Sequence, residues 1–500
     1  MKHKSAQKAE DHKNELIARA LEIGAIKLGE FDLKSKRKSP WFFNSGAFTL
    51  GKDQSLLAKT YAQAIVEGLG DILNDPEKLK RIKIFGPPQK GITLASSVAQ
   101  SLAEMGADVP SFHTRPVEKK YGEATGLGTS KEELAKQKVV GAVPQKGDII
   151  IIVDDVITTG GTKVAAIEEL KELADDLSFP AIVVAVNRQE VGIDGSDPIE
   201  SLSKSTGAKV ISAVKAIDVQ KYLKEESDSP SLSDSADRIS TYLRVYGTEE
   251  VRKELGRVNQ KNIFGADRGI VIAADVRTLE EFEKLVKLTH KIEGIVGYKI
   301  GFELGLGFGL GQVMNIARSY TNKPIIYDHQ KAGTDIPDTG KAFAEVAKSA
   351  GIDSVIFFPQ AGSETERAWI YWALVNGLDV MVGGIMTHPA YLESEGGFIS
   401  GEGALRIYQI ALNIGIEKLI VPSTKPDEIK RIREIAEDCG FATRFLSPGL
   451  GKQGGDIGKI TELLGESWYP IVGREITQSG DIEAAARQQV AKLIRPVASA

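Results

Sequence analysis

The chain has 500 residues, more than one hydrophobic core serves, so at least two domains are expected. Its 42% hydrophobic and 26% charged residues, with 51 Gly, suit an α/β enzyme. A net charge of −5 argues against nucleic acid as a partner and leaves any anionic substrate to local Lys, Arg and backbone N–H groups.

The single cysteine, Cys439, rules out an internal disulfide framework and a CxxC metal site. No apolar stretch approaches the ~20 residues of a membrane span, and the start, "MKHKSAQKAEDHKNE", has no signal-type apolar core. No membrane partner and a cytoplasmic location are the expectation. The first 30 residues read as helix, with Leu16, Ile17, Ala20, Leu21 and Ile23 at helical spacing. The apolar runs "RIKIFGPP", "GADVPSFH", "GDIIIIVDDV", "PAIVVAVNR" and "AKVISAVKAI" then alternate with helical stretches, which predicts a parallel sheet covered on both faces. This first domain is expected over 1–223. At 224–236 the pattern lapses into Ser, Asp and Pro, and 224–262 reads as a linker with a short helical bridge.

Over 263–500 the rhythm restarts. Eight strand candidates, from "RGIVIAADV" to "YPIVGREIT", are separated by helical segments, the number and length of a (β/α)8 TIM barrel. Chemistry in such barrels sits at the C-terminal strand ends, where Asp275, Lys299, Asp328, Thr387 and Arg474 fall.

In the first half, "IIIIVDDVITTGGT" (149–162) is a buried strand ending in Asp154 and Asp155, then a turn of Thr158, Thr159, Gly160, Gly161 and Thr162. Acids there can accept bonds from ribose hydroxyls while turn amides cup a phosphate; the same pair also fits a Mg2+ site of an unrelated fold. The fuller pattern over 25–215 resembles type I phosphoribosyltransferases, and among them orotate phosphoribosyltransferases. "FDLKSKRKSPWFFNSG", "GPPQKG" and "VNRQE" carry the likeness. It implies that Lys34 and Lys90 contact pyrophosphate, that Phe42 and Phe43 flank orotate, and that Arg188, with Thr158 nearby, grips the orotate carboxylate. In "RPVEKKYGE" (115–123) Arg115, Lys119 and the Gly-Glu pair match the family's mobile loop, whereas Pro116, Val117 and Tyr121 replace Lys, Glu and His. Lys119 is then left to neutralise the leaving pyrophosphate, and slower transfer or dependence on a partner is expected.

In the second half, "YDHQKAGTDIP" (327–337) crowds Asp328, Lys331 and Asp335 at one strand end. "SPGLGKQGGD" (447–456) and "VGRE" (472–475) follow strands seven and eight, where barrels commonly hold a phosphate. Glycine lets backbone N–H groups approach the anion, and Arg474 adds a forked contact. Together with "AAD", "YKIG" and "MTHP" these motifs resemble, in order, the orotidine 5′-phosphate decarboxylases. The likeness implies that Asp275 contacts ribose, and that Lys299, Asp328 and Lys331 form a charged network over the substrate. It further implies that Asp335, Ile336 and Thr339 enter a neighbouring subunit's site, and that Thr387 lies near the pyrimidine. Pro448 would contact the substrate, and Gln453, Gly473 and Arg474 would form the phosphate grip. The commoner spacing is D-x-K-x-x-D; each gap here is one residue longer, so Asp328 and Lys331 share a pocket only if the strand ends or bulges near His329. Removing CO2 from C6 of a pyrimidine leaves electrons without a conjugated sink, so fixed charges must stabilise the change. Lys331 is the expected proton donor, Asp328 and Asp335 supply the field, and Lys299 orders it.

The joint expectation is a two-step pyrimidine enzyme. Orotate and phosphoribosyl pyrophosphate (PRPP), with Mg2+ held mainly through PRPP and not directly by the chain, give orotidine 5′-phosphate; the barrel, without a cofactor, makes uridine 5′-phosphate. A homodimer or higher oligomer with shared sites is implied. Two alternatives are a Mg2+-dependent sugar-phosphate lyase barrel and an RNA-holding nucleotide sensor in the first half.

Overall fold

The computed structural model describes residues 2–115, 130–156, 161–225, 229–258, 260–329, 334–440, 442–451, 454–465 and 467–494, with side chains over 11–493 of these. It divides into two units, Met1–Val251 and Arg252–Ala500.

The first unit opens with the helix Lys2–Glu22. The helix is shorter than its sequence suggests, because Gly24 turns the chain at φ +70°. Residues 26–32 then alternate in a strand, β1 (Ile26–Asp32), paired antiparallel with β2 (Lys38–Phe43). Six further strands form one sheet: β3 (Ile82–Phe85), β4 (Ser111–Thr114), β5 (Val139–Gly141), β6 (Ile149–Val156), β7 (Ser178–Asn187) and β8 (Lys209–Lys215), in the order β5-β4-β3-β6-β7-β8. All neighbours run parallel except β4 and β5, so the sheet is mixed at one edge and not wholly parallel as expected. A three-residue edge strand carries too little pattern to be read beforehand. Ile150 and Ile152 pack with Ile167 and Leu170 of the helix Gly161–Leu173. Ile151 and Val153, equally buried, point to the other face, where Gly68 of the helix Gly51–Leu73 meets Ile211. Burial on both faces is why the run is continuously apolar.

The stretch read as a linker is mostly helical: Pro230–Tyr246 and Glu249–Leu255. Ser229 stands at the N-cap position of the first helix and Pro230 takes its first turn, so the Ser/Pro composition marks a helix start. Ala236, Ile239, Tyr242, Leu243 and Tyr246 are buried at three- and four-residue spacing, and the helix packs on β2 and on Ala216–Glu225. It therefore belongs to the first unit, whose boundary falls at Val251.

The second unit is a closed barrel of eight parallel strands: β9 (Ile270–Ala273), β10 (Ile295–Ile300), β11 (Ile325–Asp328), β12 (Ser354–Phe357), β13 (Asp379–Gly383), β14 (Lys418–Ile420), β15 (Arg444–Ser447) and β16 (Trp468–Val472), closed by β16 on β9. Val271, Ile326, Ile356, Met381, Ile420 and Leu446 belong to its core. At the N-terminal strand ends, the buried Lys418 ammonium meets Asp379 at 2.7 Å and donates to the Lys261 carbonyl at 3.1 Å. Ser354 donates to the same aspartate at 3.1 Å. This pins three adjacent strands at the end away from the cleft described below.

Candidate active sites

At the opposite end of the barrel, the C-terminal residues of β10 and β11 place Lys299 and Asp328 side by side. Both are buried, and Lys299 Nζ lies 2.6 Å from Asp328 Oδ2. Asp275, just past β9, accepts from the same ammonium at 3.4 Å and is partly exposed. Burial works against the Lys299 charge, but the two carboxylates outweigh it and raise its pKa. The result is a fixed minus-plus-minus row from inside the barrel towards solvent.

The row's open end faces a cleft of about 390 Å³ lined by Asp275, Lys299, Thr387, Pro448, Gly473 and Arg474, all six expected from the sequence. At Gly473 an added Cβ would stand 3.3 Å from the Ala273 Cβ, and at Gly455 one would stand 2.3 Å from Ser423 Oγ. Glycine is required at Gly455 for the turn after β15 to lie this close to Ser423, and Gly473 leaves little room for a side chain. Ser423, whose Oγ donates to the Pro448 carbonyl at 2.6 Å, holds the first of these turns and escaped the sequence reading. The Thr387 carbonyl accepts from Thr424 at 2.6 Å, fixing that wall.

β11 ends at Asp328, which meets the geometric condition set by the lengthened spacing. Lys331 and Gln453 lie outside the described residues. Asp335 and Ile336 are exposed and are not among the residues lining the cleft. Their segment is held from behind: the Ile336 carbonyl accepts from Trp369 Nε1 at 3.1 Å and from Thr339 Oγ1 at 2.7 Å.

In the first unit, β6 delivers Asp154 and Asp155 to one end of the sheet. Lys90, at the start of the helix Lys90–Glu104, meets Asp155 Oδ2 at 2.7 Å, and Ser45 donates to the same oxygen at 3.2 Å. Burial opposes ionisation of Asp155, yet the Lys90 ammonium prevails and lowers its pKa. Asp154 pairs at 2.6 Å with the buried Lys163, a residue that the sequence reading did not single out. Thr158, Thr159 and Gly160 lie outside the described residues, as does Lys119; Gly161 and Thr162 are exposed at the start of the helix Gly161–Leu173.

Arg188, just beyond β7, stacks over Trp41 at 4.6 Å, meets Glu190 at 2.7 Å, and donates to Ser39 at 2.8 Å. It thereby joins the sheet to β2, which also carries the exposed Phe42 and half-buried Phe43. Trp41 is wholly buried, so of "WFF" only the two phenylalanines are available to a ligand. Lys34 is exposed in the turn after β1. Arg115 donates to the carbonyls of Gln137 and Val139 at 2.9 and 3.1 Å, tying its loop base to β5.

Both halves of the chain match known protein families. Residues 54–189 match the model of the phosphoribosyl transferase domain. An orotate phosphoribosyltransferase of Saccharophagus degradans is 37% identical over 241 residues, covering 48% of this chain and 99% of that protein. The chain belongs to the orotate phosphoribosyltransferase family. A second relative of that name, from Aeromonas salmonicida, is 35% identical over 47% of this chain and 98% of its own length. Residues 268–489 match the model of the orotidine 5′-phosphate decarboxylase / HUMPS family, so an orotidine 5′-phosphate decarboxylase domain follows the orotate phosphoribosyltransferase domain. The pair matches the make-up of bifunctional uridine monophosphate synthases, a transferase joined to a carboxy-lyase.

Among solved structures, a Methanocaldococcus jannaschii orotidine 5′-monophosphate decarboxylase complexed with the inhibitor BMP is similar at 27% identity. The match has TM-score 0.41 and covers 46% of this chain and 99% of that one. An orotate phosphoribosyltransferase of Francisella tularensis is similar at 27% identity and TM-score 0.36, covering 46% and 95%.

Proposed function

We propose that the first unit joins orotate to PRPP, giving orotidine 5′-phosphate and pyrophosphate, and that the barrel converts this product to uridine 5′-phosphate and CO2. The observation that carries the barrel reading is the buried row Asp275–Lys299–Asp328 at the head of a cleft with two glycine turns and Arg474. Arg474 and the Gly473 and Pro448 turns hold the 5′-phosphate, Thr387 borders the pyrimidine, and Asp275 takes the ribose. Asp328 lies beside the substrate carboxylate. Unit charges ~4 Å apart interact by about 4 kcal/mol at an effective dielectric near 20, a repulsion relieved as CO2 leaves. Lys331 donates the proton to C6, Lys299 holds Asp328 in place, and no cofactor takes part. A sugar-phosphate lyase that uses Mg2+ needs a cation between these carboxylates; the Lys299 ammonium fills that position, which favours decarboxylation.

In the first unit, Arg188 binds the orotate carboxylate between Phe42 and Phe43, the acids of β6 take the ribose, and Lys90, Lys34 and Lys119 receive the pyrophosphate. Both acids are engaged by ammonium groups, which supports Mg2+ carried on PRPP oxygens, not gripped by the chain. Mg2+ held in that way would supply positive charge to offset that of the pyrophosphate, which Lys90, Lys34 and Lys119 receive. The exposed Asp335 and Ile336, braced by Trp369, support a homodimer in which this segment completes a second copy's barrel site.

The test is direct: orotate, PRPP and Mg2+ are supplied to the whole chain and pyrimidine absorbance is followed. Conversion through to uridine 5′-phosphate is expected. Build-up of orotidine 5′-phosphate overturns the barrel assignment, and unchanged orotate overturns the transferase assignment.

A further inference from the structure

Lys163 is the third residue of the helix Gly161–Leu173 and is buried. A buried ammonium is costly unless its charge and its donors are matched. Among the described residues they are matched by the end of β6: Nζ lies 2.6 Å from Asp154 Oδ2 and donates to the Val156 carbonyl at 2.8 Å. One side chain thus ties the start of the helix back to both the acid and the last carbonyl of the strand.

Asp154 is held at two further points. Its Oδ1 accepts from the Asp155 backbone N–H at 2.9 Å, and its carbonyl accepts from the fully buried Tyr61 hydroxyl at 2.7 Å. Burial, then Asp154 and Asp155, push the Tyr61 pKa well above its ordinary value, so it serves as a neutral donor. A carboxylate offers about four lone-pair sites; among the described residues Lys163 and the Asp155 amide use two, which leaves about two in a set direction for ligand hydroxyls. Asp155, in contrast, is matched by the exposed Lys90. The two acids therefore differ: one is locked from behind by the fold, the other is paired at the surface.

We propose that Lys163 is a positioning residue for the sugar of PRPP, acting through Asp154 and through the backbone that presents Asp155. The inference rests on the transferase reading. It adds a buried cation outside the acidic pair and outside the groups that meet pyrophosphate or orotate. Lys163 offsets one of the two adjacent negative charges from inside the fold and Lys90 the other at the surface, so an anionic sugar phosphate does not meet a bare acidic pair. It also fixes the acceptor direction before binding, which lowers the ordering cost paid by the ligand.

The experiment uses the whole chain with Lys163→Gln and Lys163→Arg, measuring KM for PRPP and for orotate separately. Decarboxylation of supplied orotidine 5′-phosphate serves as the control. In Lys163→Gln the KM for PRPP is expected to rise about tenfold or more, the scale for losing a charged bond behind a ligand-holding group, while the KM for orotate stays put. Lys163→Arg, which keeps the charge, should recover part of that loss. Equal KM rises for both substrates, or none for PRPP, overturn the proposal. If Lys163→Gln does not fold, Lys163→Arg decides alone: a selective rise for PRPP supports the proposal and an unchanged KM overturns it. Wild-type chain that consumes no orotate sinks the transferase reading instead, a result separable from either variant outcome.

Discussion

Lys299 shows how one side chain's surroundings set its task. Its ammonium is committed to two carboxylates in the barrel interior, and its raised pKa keeps it charged, so it is a poor proton donor and a good electrostatic brace. Lys299→Ala should leave Asp328 buried without its counter-charge, costing the barrel about 3–5 kcal/mol and decarboxylation at least about 100-fold. Thermal unfolding and single-substrate assays with orotidine 5′-phosphate check both. Glu366 poses the reverse case. It is buried in the helix Ser363–Val375, and neither carboxyl oxygen meets a donor among the described residues. Burial pushes its pKa well above the ordinary carboxylate value, with Arg367 and Arg406 pulling the other way. Because the folded pKa exceeds the unfolded one, the stability linked to this proton is full below the unfolded value and drains away as pH climbs through the folded value. Glu366→Gln should flatten that pH slope and stabilise the barrel by about 1–3 kcal/mol at neutral pH, seen as a higher melting temperature. An unchanged slope refutes the assignment.

At the scale of elements, the helix Pro230–Tyr246 packs into the first unit, although it lies outside the residues matched by either family model. Leu243 is fully buried on its inner face, so Leu243→Ala should cost about 2–5 kcal/mol. Transferase activity should fade at lower temperature while decarboxylation persists; parallel loss of both contradicts this. The same helix shows where sequence reading failed. Periodicity announced β6 and the barrel strands because they are continuously apolar and bounded by turns. Ser, Asp and Pro at 229–237 hid a helix start, since these residues serve caps and linkers alike. The charged residues at strand ends were legible because barrels put chemistry there. Lys163 and Ser423 were not: each acts on a residue distant along the chain or through backbone, and only folding brings them together. For Lys331, Lys119, Gln453 and the turn of Thr158 to Gly160, the placement lies outside the described residues.

For the whole molecule, the two chemistries should come apart cleanly by substitution. Asp328→Asn, fed orotate and PRPP, should pile up orotidine 5′-phosphate, while Lys90→Ala should stop orotate consumption and still decarboxylate added nucleotide. Chromatographic resolution of the two nucleotides tests this, and mutual loss argues against separate sites. The barrel also contains two lysine–aspartate pairs of nearly equal length, Lys299–Asp328 at 2.6 Å and Lys418–Asp379 at 2.7 Å, at opposite ends of the strands. Their bond lengths do not distinguish them; their address along the strand does. Exchanging Lys418 and Asp379 for apolar partners of like volume should shift heat tolerance, in either direction, and spare turnover. The foundation of this barrel is thus open to redesign for durability, whereas its rim is not.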